Sequence, residues 1–485
     1  MFDNIAKSLS VFTIFIALSF LTGSTVSRAS GTADDPLSET PFGVYMFKSN
    51  NHIAGGENLS HIGVQWGSIF LRWDEIETSP GVYNWTQTDH ILADSSRLGF
   101  NTIVTIIGNP DWAAETHCGP IYEEHLPDFA RFLTAVTQRY SVPPYNIRYW
   151  ALYNEPDNAN AAPQYADWLG GCWGAHHPNA LSDAGGAAYA HMLSYAYPAI
   201  KAGNPQAQVL LGGLAYDYFA TIDRDGFFDP SFLDDLLIAG GGQYFDIINF
   251  HYFPWFSWRW KDDSNGIDIY NRSIVFKSRY IRNEVKRYIG ETKPIICTET
   301  GIGSADREGN DVSELQANYV IKAMVRGMYA GLRANIWFEG VDETWIPGGA
   351  LMRSMGLLTA DGAPKPSYYA YQTLVHELSG ARFIHVRDDL DAGYEGYVFE
   401  TSGWQKTVLW RSEAGESTVS FPVPSPRGFV HIVAPDGTRM NVFDGSAADI
   451  DGQENGFVKV EVSETPRFYD VYRQVYTVHY PIQFY

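Results

Sequence analysis

Between Pro41 and Phe383 the chain repeats one pattern, a short apolar run followed by a stretch whose apolar residues recur at helical spacing. The runs are Phe42 to Phe47, Ser68 to Trp73, Asn101 to Ile107, Tyr149 to Tyr153, Gln208 to Leu214, Asp246 to Tyr252, Pro294 to Thr300 and Ala334 to Phe338. Short strands alternating with amphipathic helices predict a parallel sheet covered by helices. Eight such pairs predict a closed (β/α)8 TIM barrel, because an open doubly wound sheet does not need eight. The helix with Phe129, Phe132, Leu133, Val136 and Tyr140 on one face illustrates the pattern, as does the one with Ile274, Ile281, Val285, Tyr288 and Ile289 that stops at Gly290. The helix after the seventh run opens with Ser313 and Gln316 at capping-box spacing.

Two of the runs deliver a carboxylate at their carboxyl ends, where barrel enzymes keep their chemistry. The fourth breaks off in Asn154-Glu155-Pro156-Asp157, Pro156 forbidding further ladder pairing. The seventh, Pro294-Ile295-Ile296-Cys297-Thr298-Glu299-Thr300-Gly301, ends in a glutamate before a glycine. Two strand-end glutamates facing one pocket suit acid/base work on a glycosidic bond: one protonates the leaving oxygen while the other attacks or shields the anomeric carbon. Arg72, closing the second run, would favour an ionised nucleophile if it lay close, and burial would keep the acid protonated. Without that chemistry, a strand-end glutamate caps a helix or pairs with a lysine, and His251 is a satisfied core histidine.

A chain of 485 residues is too long for one ordinary core and suits a barrel of roughly 250 residues or more with an appendage. After Phe383 the pattern changes to short alternating strands: Gly396 to Glu400, Lys406 to Trp410, Ser417 to Phe421, Phe429 to Val433, Phe457 to Val462 and Arg467 to Val471. With turn signals such as Pro435-Asp436-Gly437 between them, they predict a small C-terminal β-sandwich domain over residues 384–478 behind a barrel spanning 41–383. Residues 1–29 read as a signal peptide, with Lys7, an apolar stretch from Val11 to Leu21, and small residues up to Ala29. The expected location is therefore secreted, periplasmic or at the cell surface, with no membrane partner once the leader is cleaved.

The formal charge of −22 argues against nucleic acid as a partner. The 14 Trp, 30 Tyr and 28 Phe are many, and aromatic faces stack on sugar rings, although a share of them belongs to the core. Trp168 and Trp173 lie in a long loop after the fourth run; Phe253, Trp255, Phe256, Trp258 and Trp260 follow the sixth, either as a sugar-binding wall or as packing for their own loop. Of the three cysteines, Cys297 sits within a strand as a buried thiol, while Cys118 and Cys172 fall in polar loops where an exported protein can bridge them. No spacing resembles a zinc site, and no metal or organic cofactor is expected.

These residues resemble clan A of the glycoside hydrolases, (β/α)8 enzymes with an acid/base in an Asn-Glu-Pro motif after strand four and a nucleophile after strand seven. The resemblance runs from about Pro41 to Phe383, through Asn154-Glu155-Pro156, Thr298-Glu299-Thr300-Gly301, and Gly356-Leu357-Leu358 to Pro364-Lys365-Pro366. It implies a retaining hydrolase acting on carbohydrate, with Glu155 as acid/base and Glu299 as nucleophile. It further implies Asn154 as donor to the sugar 2-hydroxyl, Arg72 as partner of the nucleophile, Trp337 as platform under the reacting sugar, and Trp112 at the substrate. The barrel with a short trailing sandwich looks most like family 39, which contains β-xylosidases, α-L-iduronidases and exopolysaccharide-cleaving endoglycosidases. Several clan members carry His-x-Tyr on strand six, whereas here the order is His251-Tyr252-Phe253, so His251 and Phe253 share a side and Tyr252 serves only if the strand end twists.

Overall fold

The structure is a computed structural model that describes residues 40–49, 52–162, 170–216, 227–254, 267–390, 393–401, 404–411, 417–424 and 428–472. The expected signal peptide, Trp168, and the aromatic residues 255–260 lie outside these. Parallel strands β1 (Phe42–Tyr45), β2 (Trp66–Arg72), β3 (Asn101–Ile107), β4 (Tyr149–Leu152), β5 (Gln208–Leu210), β6 (Ile248–Tyr252), β7 (Ile295–Thr300) and β8 (Asn335–Trp337) form one sheet in the order β5-β4-β3-β2-β1-β8-β7-β6. Its two edges meet: parallel bridges join Leu210 to Ile247 and Leu214 to Phe250, and the His251 N–H donates to the Leu214 carbonyl at 2.9 Å. The sheet is thus a barrel.

Inward-facing side chains fill its middle, among them Trp66, Ile103, Tyr149, Leu210, Ile247, Ile296 and Ile336. Room for them comes partly from Gly43, where a Cβ would lie 2.2 Å from Ile336 Cδ1 and 2.7 Å from Trp66 Cβ. Outside run α1 (Gly56–His61), α2 (Thr86–Arg97), α3 (Leu126–Tyr140), α4 (Gly186–Gly203), α5 (Phe232–Ile238), α6 (Ile267–Ile289), α7 (Ser313–Tyr329) and α8 (Pro366–Leu378), one after each strand. The predicted face of α3 is buried throughout, with Pro127 in its first turn, where no N–H is needed. On α6, Ile274, Ile281 and Val285 are buried and Gly290 stops the helix at φ 80°, but Tyr288 is exposed rather than inward.

The capping box expected at Ser313 and Gln316 does not form. Asp311 accepts the Ser313 N–H at 2.9 Å instead, and Gln316 is drawn inward to donate to the Ile302 and Ser354 carbonyls. Three carbonyls within reach of that buried amide outcompete the helix end.

The C-terminal strands are antiparallel: β9 (Arg382–Val386), β10 (Tyr394–Thr401), β11 (Trp404–Arg411), β12 (Ser417–Pro422), β13 (Phe429–Val433), β14 (Arg439–Phe443), β15 (Phe457–Val462) and β16 (Arg467–Tyr472). They form a sheet ordered β9-β10-β11-β16-β13-β14 and a pair β12-β15, sharing a core that includes Val419, Phe421, Val430, Val458 and Tyr469. β9 and β14, at the edges, escape sequence pattern because they are mostly solvent-facing and barely alternate. Buried ion pairs fix this layer to the barrel helices. Arg326 of α7 forks onto Glu395 at 3.0 and 2.6 Å, and Lys406 bridges Glu377 of α8 to Asp470, both at 2.6 Å. No described helix is long and apolar enough to cross a membrane.

Candidate active site

At the end of β4 the backbone turns sharply, and two non-glycine residues, Tyr153 and Glu155, adopt left-handed φ values of 60° and 44°. Each costs roughly 1–3 kcal/mol, so the surroundings must impose the conformation. They do: the Tyr153 N–H bonds the Ile106 carbonyl at 2.8 Å, Asn154 bridges to Gly213, and the Glu155 and Pro156 carbonyls accept from Asn158 and Trp173, both at 2.9 Å. The incoming loop lies against this turn so tightly that a Cβ on Gly171 would stand 2.1 Å from the Asn154 carbonyl oxygen. Next in that loop, Cys172 forms a disulfide with Cys118. Asp157, buried, accepts the N–H groups of Ala215 at 3.0 Å and Tyr216 at 2.8 Å. Burial pushes its carboxyl up to about 7; the Tyr216 and Ala215 N–H groups and the Lys277 ammonium pull the other way, and the Glu155 charge adds to the rise.

On the opposite side, β7 carries one residue more than its neighbours. Phe250 and His251 of β6 face Cys297 and Glu299, while Asn335 and Trp337 of β8 face Cys297 and Thr300. The bulge breaks the alternation that would turn Glu299 toward the helices, so Thr298 and Glu299 both reach into the barrel. His251 is the meeting point. Its Nδ1 lies 2.9 Å from Glu155 Oε1 and 3.6 Å from Glu299 Oε2, and its Nε2 lies 3.0 Å from Thr298 Oγ1. Thr298 Oγ1 in turn donates to Asn249 Oδ1 at 2.8 Å. The imidazole is pressed against Gly213, where a Cβ would come within 2.1 Å of Nε2.

Glu155, His251 and Glu299 are all buried, and one donor atom from each lies within 4.8 Å of the other two. Because both imidazole nitrogens face hydrogen-bond partners, the set reads as a site that shares protons. Burial raises Glu299 well above the ordinary carboxyl range, followed by the charges of Glu155 and Glu339. Glu155 and Glu299 share this pocket, so a charge on one opposes a charge on the other.

Glu339, next after β8, was not foreseen from sequence. It is fully buried, neither carboxyl oxygen has a hydrogen bond of ordinary geometry, and the Glu343 N–H that leans toward it only partly offsets the rise caused by burial, Asp342 and Glu343. Tyr45, on β1, is raised by burial and then by the nearby charges of Glu299 and Glu339, so its phenol is neutral. Its ring lies 5.1 Å from Phe338, which also touches Phe47 and Phe253. These aromatic rings face the barrel interior.

Several expected site residues point elsewhere. Trp337 is buried toward α7, its ring 6.0 Å from Tyr319 and its N–H on the Met355 carbonyl at 3.0 Å; the ring that faces inward at this strand end is Phe338. Trp112 packs on Trp73 and His125 at 5.5 and 5.3 Å. Trp173 is buried between Tyr153 and Tyr189. Tyr252 is buried in the outer layer and Phe253 faces inward beside His251, as alternation requires. The Arg72 guanidinium forks onto Asp74 at 3.0 and 2.6 Å. Asn154 sits buried on the turn that carries Glu155.

No protein-family model matches the chain, and no curated protein does. Solved structures do. A family 39 glycoside hydrolase from the gut symbiont Bacteroides cellulosilyticus superposes with a TM-score of 0.65 at 18% identity, over 90% of this chain and 81% of that one. A monomeric β-xylosidase from Caulobacter crescentus gives 0.59 at 14% identity, over 89% and 96% of the two chains. A family 30 endoxylanase from Clostridium papyrosolvens gives 0.56 at 11%, over 90% and 97%. In architecture, then, a TIM barrel with a trailing antiparallel β-layer, this chain has the fold of family 39 and family 30 glycoside hydrolases.

Proposed function

We propose that the protein is an exported retaining β-glycosidase acting on a polysaccharide or its oligomers through Glu155 and Glu299. The observation that carries the reading is that one oxygen of each buried carboxyl comes within 4.8 Å of the other, with a His251 nitrogen as near to both. Retaining enzymes hold their pair about 5 to 5.5 Å apart, inverting ones about 6.5 to 9.5 Å. The reaction needs the proton on Glu155 and the charge on Glu299; His251, with Nδ1 2.9 Å from Glu155 Oε1 and 3.6 Å from Glu299 Oε2, is placed to hold that division against the burial that raises Glu299.

In the first step the Glu299 carboxylate bonds to the anomeric carbon while the bond to the leaving oxygen breaks and Glu155 gives that oxygen its proton. In the second, water attacks the same carbon, its proton passes to Glu155, and Glu299 leaves as carboxylate. The leader-like residues 1–29 support export. The β-xylosidase and endoxylanase of like fold put β-xylosides and xylan first among substrates to try. A non-catalytic sugar-binding barrel is disfavoured because both glutamates are present and converge.

Purified protein should be assayed on aryl β-glycosides and polysaccharides, sizing the products to separate endo from exo action. Glu299→Ala should lose turnover and regain part of it with azide, and Glu155→Gln should lose about a hundredfold or more on poor leaving groups but little on activated aryl glycosides. Full activity in Glu299→Ala would sink the assignment.

A further inference from the structure

The bulge in β7 brings a threonine as well as a glutamate onto His251, and the threonine has no part in the two-step chemistry. A hydroxyl carries one hydrogen. Thr298 Oγ1 donates its hydrogen to Asn249 Oδ1 at 2.8 Å, so toward His251 Nε2, at 3.0 Å, it can only accept. Nε2 must therefore carry a hydrogen. A neutral imidazole protonated at Nε2 presents a bare lone pair at Nδ1, and Nδ1 faces Glu155 Oε1 at 2.9 Å. With the ring neutral, the hydrogen in that contact belongs to Glu155. With the opposite tautomer, Nδ1–H would donate to Glu155 and stabilise its carboxylate, the wrong state for a proton donor.

We propose that Thr298 and Asn249 are positioning residues that fix the tautomer of His251 and thereby keep the transferable proton on Glu155. The inference rests on Glu155 being the acid of the proposed reaction. All three members of the chain are at least 97% buried, with exposures of 1% for Asn249, 2% for His251 and 3% for Thr298, so water does not compete for these bonds. Asn249 and His251 are two residues apart on β6 and share its inward face, and Gly213 leaves the space in which the ring lies flat. Among the described residues, the charged and titratable groups around the ring are Glu155 from β4, Glu299 from β7 with Glu339 beyond it from β8, and Lys277 from α6, whose ammonium bonds the His251 carbonyl oxygen at 2.7 Å and acts on Asp157. None of these faces Nε2 in place of Thr298.

Two measurements test this. In protein labelled with ¹⁵N-histidine, with His251 assigned from a His251→Gln control, Nε2 should be protonated and Nδ1 bare across the active pH range. Thr298→Val should mix or invert that pattern, and Thr298→Ser should keep it. A bare Nε2, both nitrogens protonated in the wild type, or a Thr298→Val spectrum like the wild type would overturn the inference. In activity, Thr298→Val should lose about tenfold on poor leaving groups and under about twofold on activated aryl glycosides. Its basic limb should fall by about one pH unit, with Thr298→Ser close to wild type; equal losses on both substrate classes would count against it. If the wild type cleaves no glycoside, the hydrolase reading falls while the nitrogen signals still decide the tautomer.

Discussion

At Glu299 burial, the Glu155 charge and the Glu339 charge all push in one direction, toward the protonated acid. As the proposed nucleophile Glu299 must be ionised, so the acid limb of kcat/KM should stand above the ordinary glutamate value of about 4.3. Glu339 gives the handle on this. Glu339→Gln removes one source of repulsion without changing shape, so the limb should move to lower pH, by about half a unit to one unit. A pH–rate profile of the variant checks it, and a limb that stays put or rises would show that Glu339 does not act on Glu299. Of these residues Glu155 was the most legible in sequence, because an apolar run cut off by Asn-Glu-Pro leaves few other readings. Glu339 and Tyr45 gave no signal, since what marks them is the burial of one and the direction of the other, and neither shows in spacing.

Among the elements, the strands were readable because each is an apolar run followed by a helix of matching period. Their ends were not. The bulge that turns Glu299 inward depends on how β6 and β8 register against β7, which one strand's sequence does not contain. The same limit explains Trp337 and Phe338: adjacent aromatics on one strand end must face opposite ways, and sequence favoured the wrong one. The end of β4 is held by Asp157 through the loop after β5, which leads to a dependence on pH. In the unfolded chain Asp157 titrates near 3.9, in the fold near 7, so the folded protein binds the extra proton between these values. Its contribution to stability is complete below about pH 4 and declines as pH rises toward 7, by at most about 4 kcal/mol. Asp157→Asn, whose amide oxygen can keep the Ala215 and Tyr216 N–H groups in the place of Oδ2, should flatten the fall of Tm between pH 5 and 8. Thermal melts at several pH values would reveal it, and parallel slopes for both proteins would refute it.

For the molecule as a whole, the aromatic excess divides between core and barrel mouth. Trp73, Trp85, Phe129 and Phe132 form a stack beneath α3, and Tyr45, Phe47, Phe253 and Phe338 gather near the carboxyls. The barrel staves are not equally joined. Between β2 and β3 the register runs unbroken from Trp66 with Asn101 to Arg72 with Ile107, whereas among the described residues β5 and β6 are joined by two isolated bridges rather than a continuous ladder. The amides of Asp246 and Ile247 join it at Val209, and three amides further along, those of Leu211, Leu214 and His251, complete the junction. In heavy water these three should exchange their hydrogens for deuterium well before the amides of β3, by roughly tenfold or more in rate, a comparison that peptide mass spectrometry makes directly. Since His251 belongs to the junction, this thinly bridged seam is also where the proposed reaction would cut a sugar, and a bound ligand that spans it should act as a clasp.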